Sequence, residues 1–77
     1  MTSLIDIKKG KVKVVSIIAG RGAESKLAQL GILPGKEMEV LSNVARGPVM
    51  IRCDNSRFIL GCGLAAKVMV ERLNEDS

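Results

Sequence analysis

Two thiols and a few carboxylates are the groups in this sequence that could act on another molecule. Cys53 and Cys62 stand with eight residues between them. Thiolates favour soft transition metals, so this pair, helped by a backbone carbonyl or a Met, could hold one such ion weakly. A structural zinc site needs four ligands and usually close Cys-x-x-Cys pairs, which two cysteines in one chain do not supply. The plainer reading is a core thiol at Cys53 and a small loop residue at Cys62. Glu37 and Glu39 alternate onto one face of a strand, where paired carboxylates can do acid–base work or simply face water. Gly20-Arg21-Gly22 is too short for a phosphate-binding fingerprint and reads as a strand-to-helix turn. A phosphate at the N-terminus of the following helix is the alternative there.

Nucleophilic catalysis lacks its parts. The sequence contains no His, the commonest general base and metal ligand. Ser3, Ser16, Ser25, Ser42 and Ser56 therefore have no imidazole to activate them. The expectation is a chain that acts by binding, not an enzyme.

The elements that would position these groups follow from the apolar pattern. Leu4 to Lys9 is a short segment in which Leu4 and Ile7 can touch the core, and Gly10 ends it. Lys11 to Ile18 reads as the first strand, with Val12, Val14 and Ile18 on one face and Lys13, Val15 and Ile17 on the other. Apolar residues on both faces from Val14 onward suit a strand covered on both sides, as in a curled small barrel. Ala23 to Leu30 is a short helix with Ala23, Leu27 and Leu30 on one stripe and Glu24 in its first turn. Gly31 follows as a C-cap, and Pro34-Gly35 makes a tight turn.

Lys36 to Val44 is the second strand and Ala45 to Pro48 a turn. Val49 to Cys53 is the third strand, with Val49, Ile51 and Cys53 inward. Asp54-Asn55 closes a hairpin onto Ser56 to Leu60, the fourth strand. Gly61 to Ala66 is a loop or a single helical turn, and Lys67 to Leu73 is the last strand, with Val68 and Val70 inward. The pattern predicts a mainly β fold: a small SH3-like barrel of five strands, closed or nearly closed, with a short helix between the first and second. Residues 1–77 form one domain, of which 74–77 are a frayed polar tail.

Composition sets the outer limits. A chain of 77 residues has room for one domain, and its core is small. Apolar residues make up 47%, with Phe58 the single aromatic, so aliphatic packing must carry the fold. No apolar run approaches the roughly 20 residues of a membrane span. Asp6 and Lys8 interrupt any signal-like apolar stretch at the start, so the expected location is the cytoplasm.

Charge is uneven along the chain. Residues 1–36 carry seven basic residues, Lys11, Lys13 and Arg21 among them, against Asp6 and Glu24; the remainder carries five basic against six acidic. A basic edge of this kind suits an acidic partner, a phosphate-rich surface or the inner membrane face, or it serves only as a solvated face. Nucleic acid is a third class of partner, but single-strand binders need aromatic stacking platforms, and charge alone gives weak, salt-sensitive binding. No helix-turn-helix segment is present to enter a groove.

The run from Lys26 through Leu30-Gly31-Ile32 and Pro34-Gly35 to Val40 resembles the signature of the FeoA family of small bacterial and archaeal ferrous iron transport proteins. The shared pattern is a helix ending in Leu-Gly-Ile, then x-Pro-Gly, then an alternating strand, with Lys26 where the family usually has Arg. Leu4 to Gly10, Gly47-Pro48-Val49 and Ala65 to Val70 match in register, so the resemblance covers nearly the whole chain. Gly61-Cys62-Gly63 departs from the polar helical turn usual in the family, and Asp54-Asn55 from its Gly-bearing hairpin.

The resemblance implies an SH3-like barrel similar to the C-terminal domain of iron-dependent repressors. It also implies a cytoplasmic accessory role in ferrous iron uptake, at the inner face of the membrane. The partner it implies is FeoB, a membrane iron transporter with a cytosolic GTP-binding domain. On that reading the outer apolar positions Leu33, Val44, Met50 and Met69, beside Lys11, Lys13 and Arg21, are the candidate contacts, and packing within the chain or a homo-oligomer is their other destination. No cofactor is expected. The alternatives are a metal-sensing module in which Cys53 and Cys62 hold a ferrous or other transition metal ion weakly, and a small basic nucleic-acid-binding barrel.

Overall fold

Alternation of charge and valine in Lys11-Val12-Lys13-Val14 puts both valines in the core and both lysines in water. This stretch belongs to β2 (Gly10–Ile17), the longest strand. The computed structural model describes residues 1–44 and 48–73. Within them β1 (Thr2–Ser3) and a 3-10 turn (Leu4–Asp6) precede β2. After it come α1 (Arg21–Gln29), β3 (Glu37–Asn43), β4 (Val49–Cys53), β5 (Ser56–Leu60), α2 (Cys62–Ala65) and β6 (Val68–Arg72). The strands make one antiparallel sheet in the order β1-β6-β2-β3-β4-β5. The architecture is the mainly β, SH3-like fold expected, with one helix between the first two long strands and one helical turn before the last.

Five strands were expected and six are present. The added one is β1, whose Thr2 and Ser3 pair with Val70 and Met69 of β6. Two residues carry no apolar period, so only the pairing reveals them. The expected turn over residues 45–48 and the expected tail over 74–77 lie largely or wholly outside the described residues.

A second difference concerns the end of β2. Its register with β6 moves by one residue between Val14 and Ser16, which makes Val15 an extra residue. Such a bulge reverses the facing of everything beyond it and increases local twist. Ile17 therefore packs against the core while Ile18 is 62% exposed, the reverse of the sequence reading. β3 carries a matching irregularity between Val40 and Ser42. The two bulges bend neighbouring strands and help curl the sheet around a single core.

The core is aliphatic, as the composition requires. Fully buried Leu, Ile and Val come from every long strand, from α1 through Leu27, and from the opening turn through Leu4. Each contributes roughly 1.5–3 kcal/mol. Among the described residues no polar side chain is buried.

Helix α1 ends in a way that explains its Leu-Gly-Ile sequence. Leu30 is the C-cap. The Gly31 N–H donates to the Ala28 carbonyl and the Ile32 N–H to the Leu27 carbonyl, at 2.9 and 3.0 Å. This is a Schellman closure, and its accompanying apolar contact is met by Leu27 and Ile32, both fully buried. Gly31 sits at φ 85, where a Cβ is strained. The chain then turns at Gly35 and returns to β2, where the Val14 N–H donates to the Lys36 carbonyl and the Gly35 N–H to the Val14 carbonyl, both at 2.8 Å.

The opening segment is held from two sides. The Asn43 side-chain amide donates to the carbonyls of Ile5 and Ile7, each at 2.8 Å. The Ser3 hydroxyl accepts from the Ile5 N–H and donates to the Ala66 carbonyl at 2.9 Å.

Two stability changes follow from these contacts. Gly31→Ala should lower unfolding free energy by about 1–2 kcal/mol, the cost of the left-handed conformation with a Cβ. Asn43→Ala should cost about 1–3 kcal/mol by orphaning two carbonyls, whereas Ser42→Ala on the exposed side should stay within about 0.5 kcal/mol. Urea unfolding followed by far-UV circular dichroism checks all three.

Candidate functional site

The two thiols are not brought together. Cys53 ends β4 and is buried beneath the hairpin; Cys62 opens α2 and is exposed. Strand β5 lies between them, and five strand residues span roughly 13–17 Å. Among the described residues no three of His, Cys, Asp or Glu gather as metal ligands. The placement matches the plainer reading, a core thiol at Cys53 and a surface residue at Cys62, and the alternative of a shared two-thiol metal site has no geometry in the single chain. The physical reason is the hairpin: Cys53 pairs with Ser56 at one end of β5, while Cys62 follows Leu60 at the other.

Burial pushes the Cys53 thiol up from its ordinary value, opposed by the nearby Lys36 ammonium and reinforced by Asp54. Lys36 and Asp54 form an ion pair at 2.8 Å that ties the turn after α1 to the β4–β5 hairpin. The hydrogen bond to Asp54 raises the Lys36 pKa, so this ammonium holds its proton to higher pH than usual.

The basic stretch of the sequence is interleaved with acids in space. β2 lies between β3 and β6, and both carry glutamates in register with it. Lys11 stands opposite Glu39, and Lys13 between Glu37 and Glu71. Glu39 is also ion-paired with Arg52 of β4. A cavity of about 210 Å³ runs along this face, lined by Lys11, Glu37, Met38, Glu39, Arg52, Asp54 and Leu73. Within it Arg52 pairs with Glu39, and Asp54 pairs with Lys36. Arg21, by contrast, stands exposed at the start of α1, with Lys26 exposed further along the helix.

The apolar candidates divide. Leu33 and Val44 are 49% and 66% exposed, while Met50 and Met69 are half-buried. Met69 lies between Ser3 and Ser16 in the sheet. Met50 lies opposite Ile59. Besides the terminal Met1, four large exposed apolar residues escaped the sequence reading. Val15, Ile18 and Leu30 lie, with Leu33, on the chain that enters and leaves α1, and Ile59 lies on β5. The signal for Val15 and Ile18 was the apolar character on both faces of the β2 end, read there as burial. The structure covers only one of those faces.

The outer positions are exposed or half-buried apolar and basic residues, and no group of three or more His, Cys, Asp or Glu gathers among the described residues. The FeoA domain family matches residues 2–72. The chain belongs to the FeoA family. A relative from Methanocaldococcus jannaschii named "Putative Fe(2+) transport protein A" is 40% identical over 72 residues, which is 92% of this chain and 87% of that one. A crystal structure described as an iron uptake regulatory protein, FeoA, is 38% identical and superposes with a TM-score of 0.88, covering 94% of this chain and 97% of that one. The metal-dependent repressor ScaR, solved with bound zinc, superposes with a TM-score of 0.85 over 95% of this chain and 37% of its own. At 19% identity it shares the fold. Among the described residues of this FeoA domain no helix is long and apolar enough to cross a membrane.

The placement of the thiols predicts their reactivity. Under native conditions iodoacetamide should add one carbamidomethyl group, at Cys62, and after denaturation a second, at Cys53. Peptide mass mapping reads the sites; comparable labelling of both thiols in the folded protein would contradict the placement of Cys53.

Proposed function

We propose that this FeoA domain works in the cytoplasm as a regulatory partner of a FeoB-type membrane iron transporter, docking on its cytosolic side. The observation that carries the reading is the group of exposed apolar residues bracketing α1. Val15, Ile18, Leu30 and Leu33 are 39–62% exposed, four of the seven large exposed apolar residues among the described ones, and all four lie on the chain that enters and leaves α1. Exposed aliphatics with cationic neighbours are the composition of a protein-binding patch. Arg21 and Lys26 on the same helix supply the charge.

Family membership supports the iron-uptake setting, and the absence of a catalytic constellation among the described residues suits a binding role. Docking through α1 leaves the core undisturbed, so regulation would act through the partner's nucleotide cycle.

Vesicles with and without the organism's own FeoB, assayed together for binding and GTP hydrolysis, test this. The native chain should bind only the FeoB vesicles and change their hydrolysis rate. Leu33→Asp combined with Ile18→Asp should weaken binding by at least about tenfold while the circular dichroism spectrum stays unchanged, the size expected for losing one interface anchor. Binding that is absent in every nucleotide state would overturn the reading. Binding that survives the double substitution would remove the α1 surface from it.

A further inference from the structure

Strand β5 is an open edge. Among the described residues it pairs with β4 alone and ends the sheet order. The hairpin turn Asp54-Asn55 fixes which of its backbone groups are used. Cys53 and Ser56 flank a two-residue turn and so exchange hydrogen bonds. The alternation then makes Ile51 with Phe58 and Val49 with Leu60 the bonded pairs, and Arg52 with Arg57 and Met50 with Ile59 the unbonded ones. Arg57 and Ile59 therefore direct their N–H and C=O groups away from β4. No described residue supplies partners for them.

The side chains of these two residues share the outer face. Ile59 is 58% exposed. With Met50, Arg57 and Phe58 it lines a cavity of about 330 Å³. Arg57 stands directly across from Arg52, a like-charge pairing that costs stability. Arg52 is neutralised by Glu39, but none of the described carboxylates pairs with Arg57. Edge strand, apolar groove and unneutralised guanidinium coincide within three residues.

We infer that β5 accepts an extended segment of another protein as an added strand, and that this segment carries an acidic residue opposite Arg57 and an aliphatic one opposite Ile59. A second copy of β5 fits poorly. Ser56-Arg57-Phe58-Ile59-Leu60 contains no carboxylate, and antiparallel self-pairing about Phe58 sets each Arg57 against an Ile59. In an antiparallel ligand the aliphatic residue comes first and the acid two residues later. This inference does not rest on the identity of the transporter partner, since it concerns a different face from α1.

The test uses the full chain and two blocked synthetic peptides. One is Thr-Val-Thr-Ile-Thr-Glu-Thr-Ser; the other has Lys in place of Glu. Proton–nitrogen NMR titration reads affinity, and amide hydrogen exchange reads pairing. The acidic peptide should slow exchange at the Arg57 and Ile59 amides and bind about tenfold tighter than the Lys peptide, the scale of one charge-assisted hydrogen bond. Arg57→Glu should reverse the preference. Ile59→Pro should abolish binding without loosening the hairpin, because that N–H makes no bond to β4. Equal affinity for the two peptides, or no protection of the two amides, would show that Arg57 serves only to guard the edge against aggregation, and would overturn the inference. Concentration-dependent self-association that protects the same amides in the absence of peptide would overturn it in favour of a second copy. Should Ile59→Pro fail to fold, the Arg57→Glu reversal decides alone.

Discussion

Everything in this fold hangs on Val12 to Val14, the stretch where β2 is hydrogen-bonded on both sides at once. Val12 and Lys13 face Met38 and Glu37 of β3 on one side and Arg72 and Glu71 of β6 on the other. Val14 continues both ladders, to Val70 of β6 and to the Gly35–Lys36 turn. A strand bonded on both sides cannot slide, because a one-residue slip would turn Val12 and Val14 to solvent. Once β2 is fixed, α1 has its ends fixed as well. It leaves β2 beyond Ile18 and returns beside Val14. A helix of nine residues is marginal alone, so its stability comes from this anchoring and from Leu27 in the core.

The features that could be read from the sequence were those decided within a few residues. The Leu30-Gly31-Ile32 end of α1, the Gly35 turn, the Asp54-Asn55 hairpin and the inward set Val49, Ile51 and Cys53 each depend on local conformation and alternation. Asp54 adopts φ 59, as a two-residue hairpin turn requires and as Asp tolerates. What could not be read depends on pairing between distant segments. The bulge at Val15 is visible only in the register of β2 against β6, and it decides which of Ile17 and Ile18 is buried. The same holds for β1, and for Asn43, whose polar side chain in a strand gives no hint that it holds residues 36 and 38 positions earlier.

Charge shows the same division. Counting along the chain puts the positive excess in the first half, but the sheet folds Glu37, Glu39 and Glu71 alongside Lys11 and Lys13. The composition was legible and the electrostatic surface was not. For the thiols, spacing alone left open a shared site. The hairpin closes that option by running β5 between them, which leaves one thiol buried and the other in water.

The two ends of the sheet are managed differently, and the difference bears on how such a small domain could engage more than one surface. At one end β1 is two residues long, and the chain turns at once into a 3-10 segment held by Ser3 and Asn43. A strand that short offers almost no template to another chain. At the other end β5 is a full five residues with apolar Ile59 outward. Its only evident guard is Arg57, a residue that repels like charge but attracts a carboxylate. A guard of that kind is selective where shortening is absolute. The fold thus blocks one edge, leaves the other conditional on the charge of what approaches, and keeps both apart from the aliphatic surface around α1.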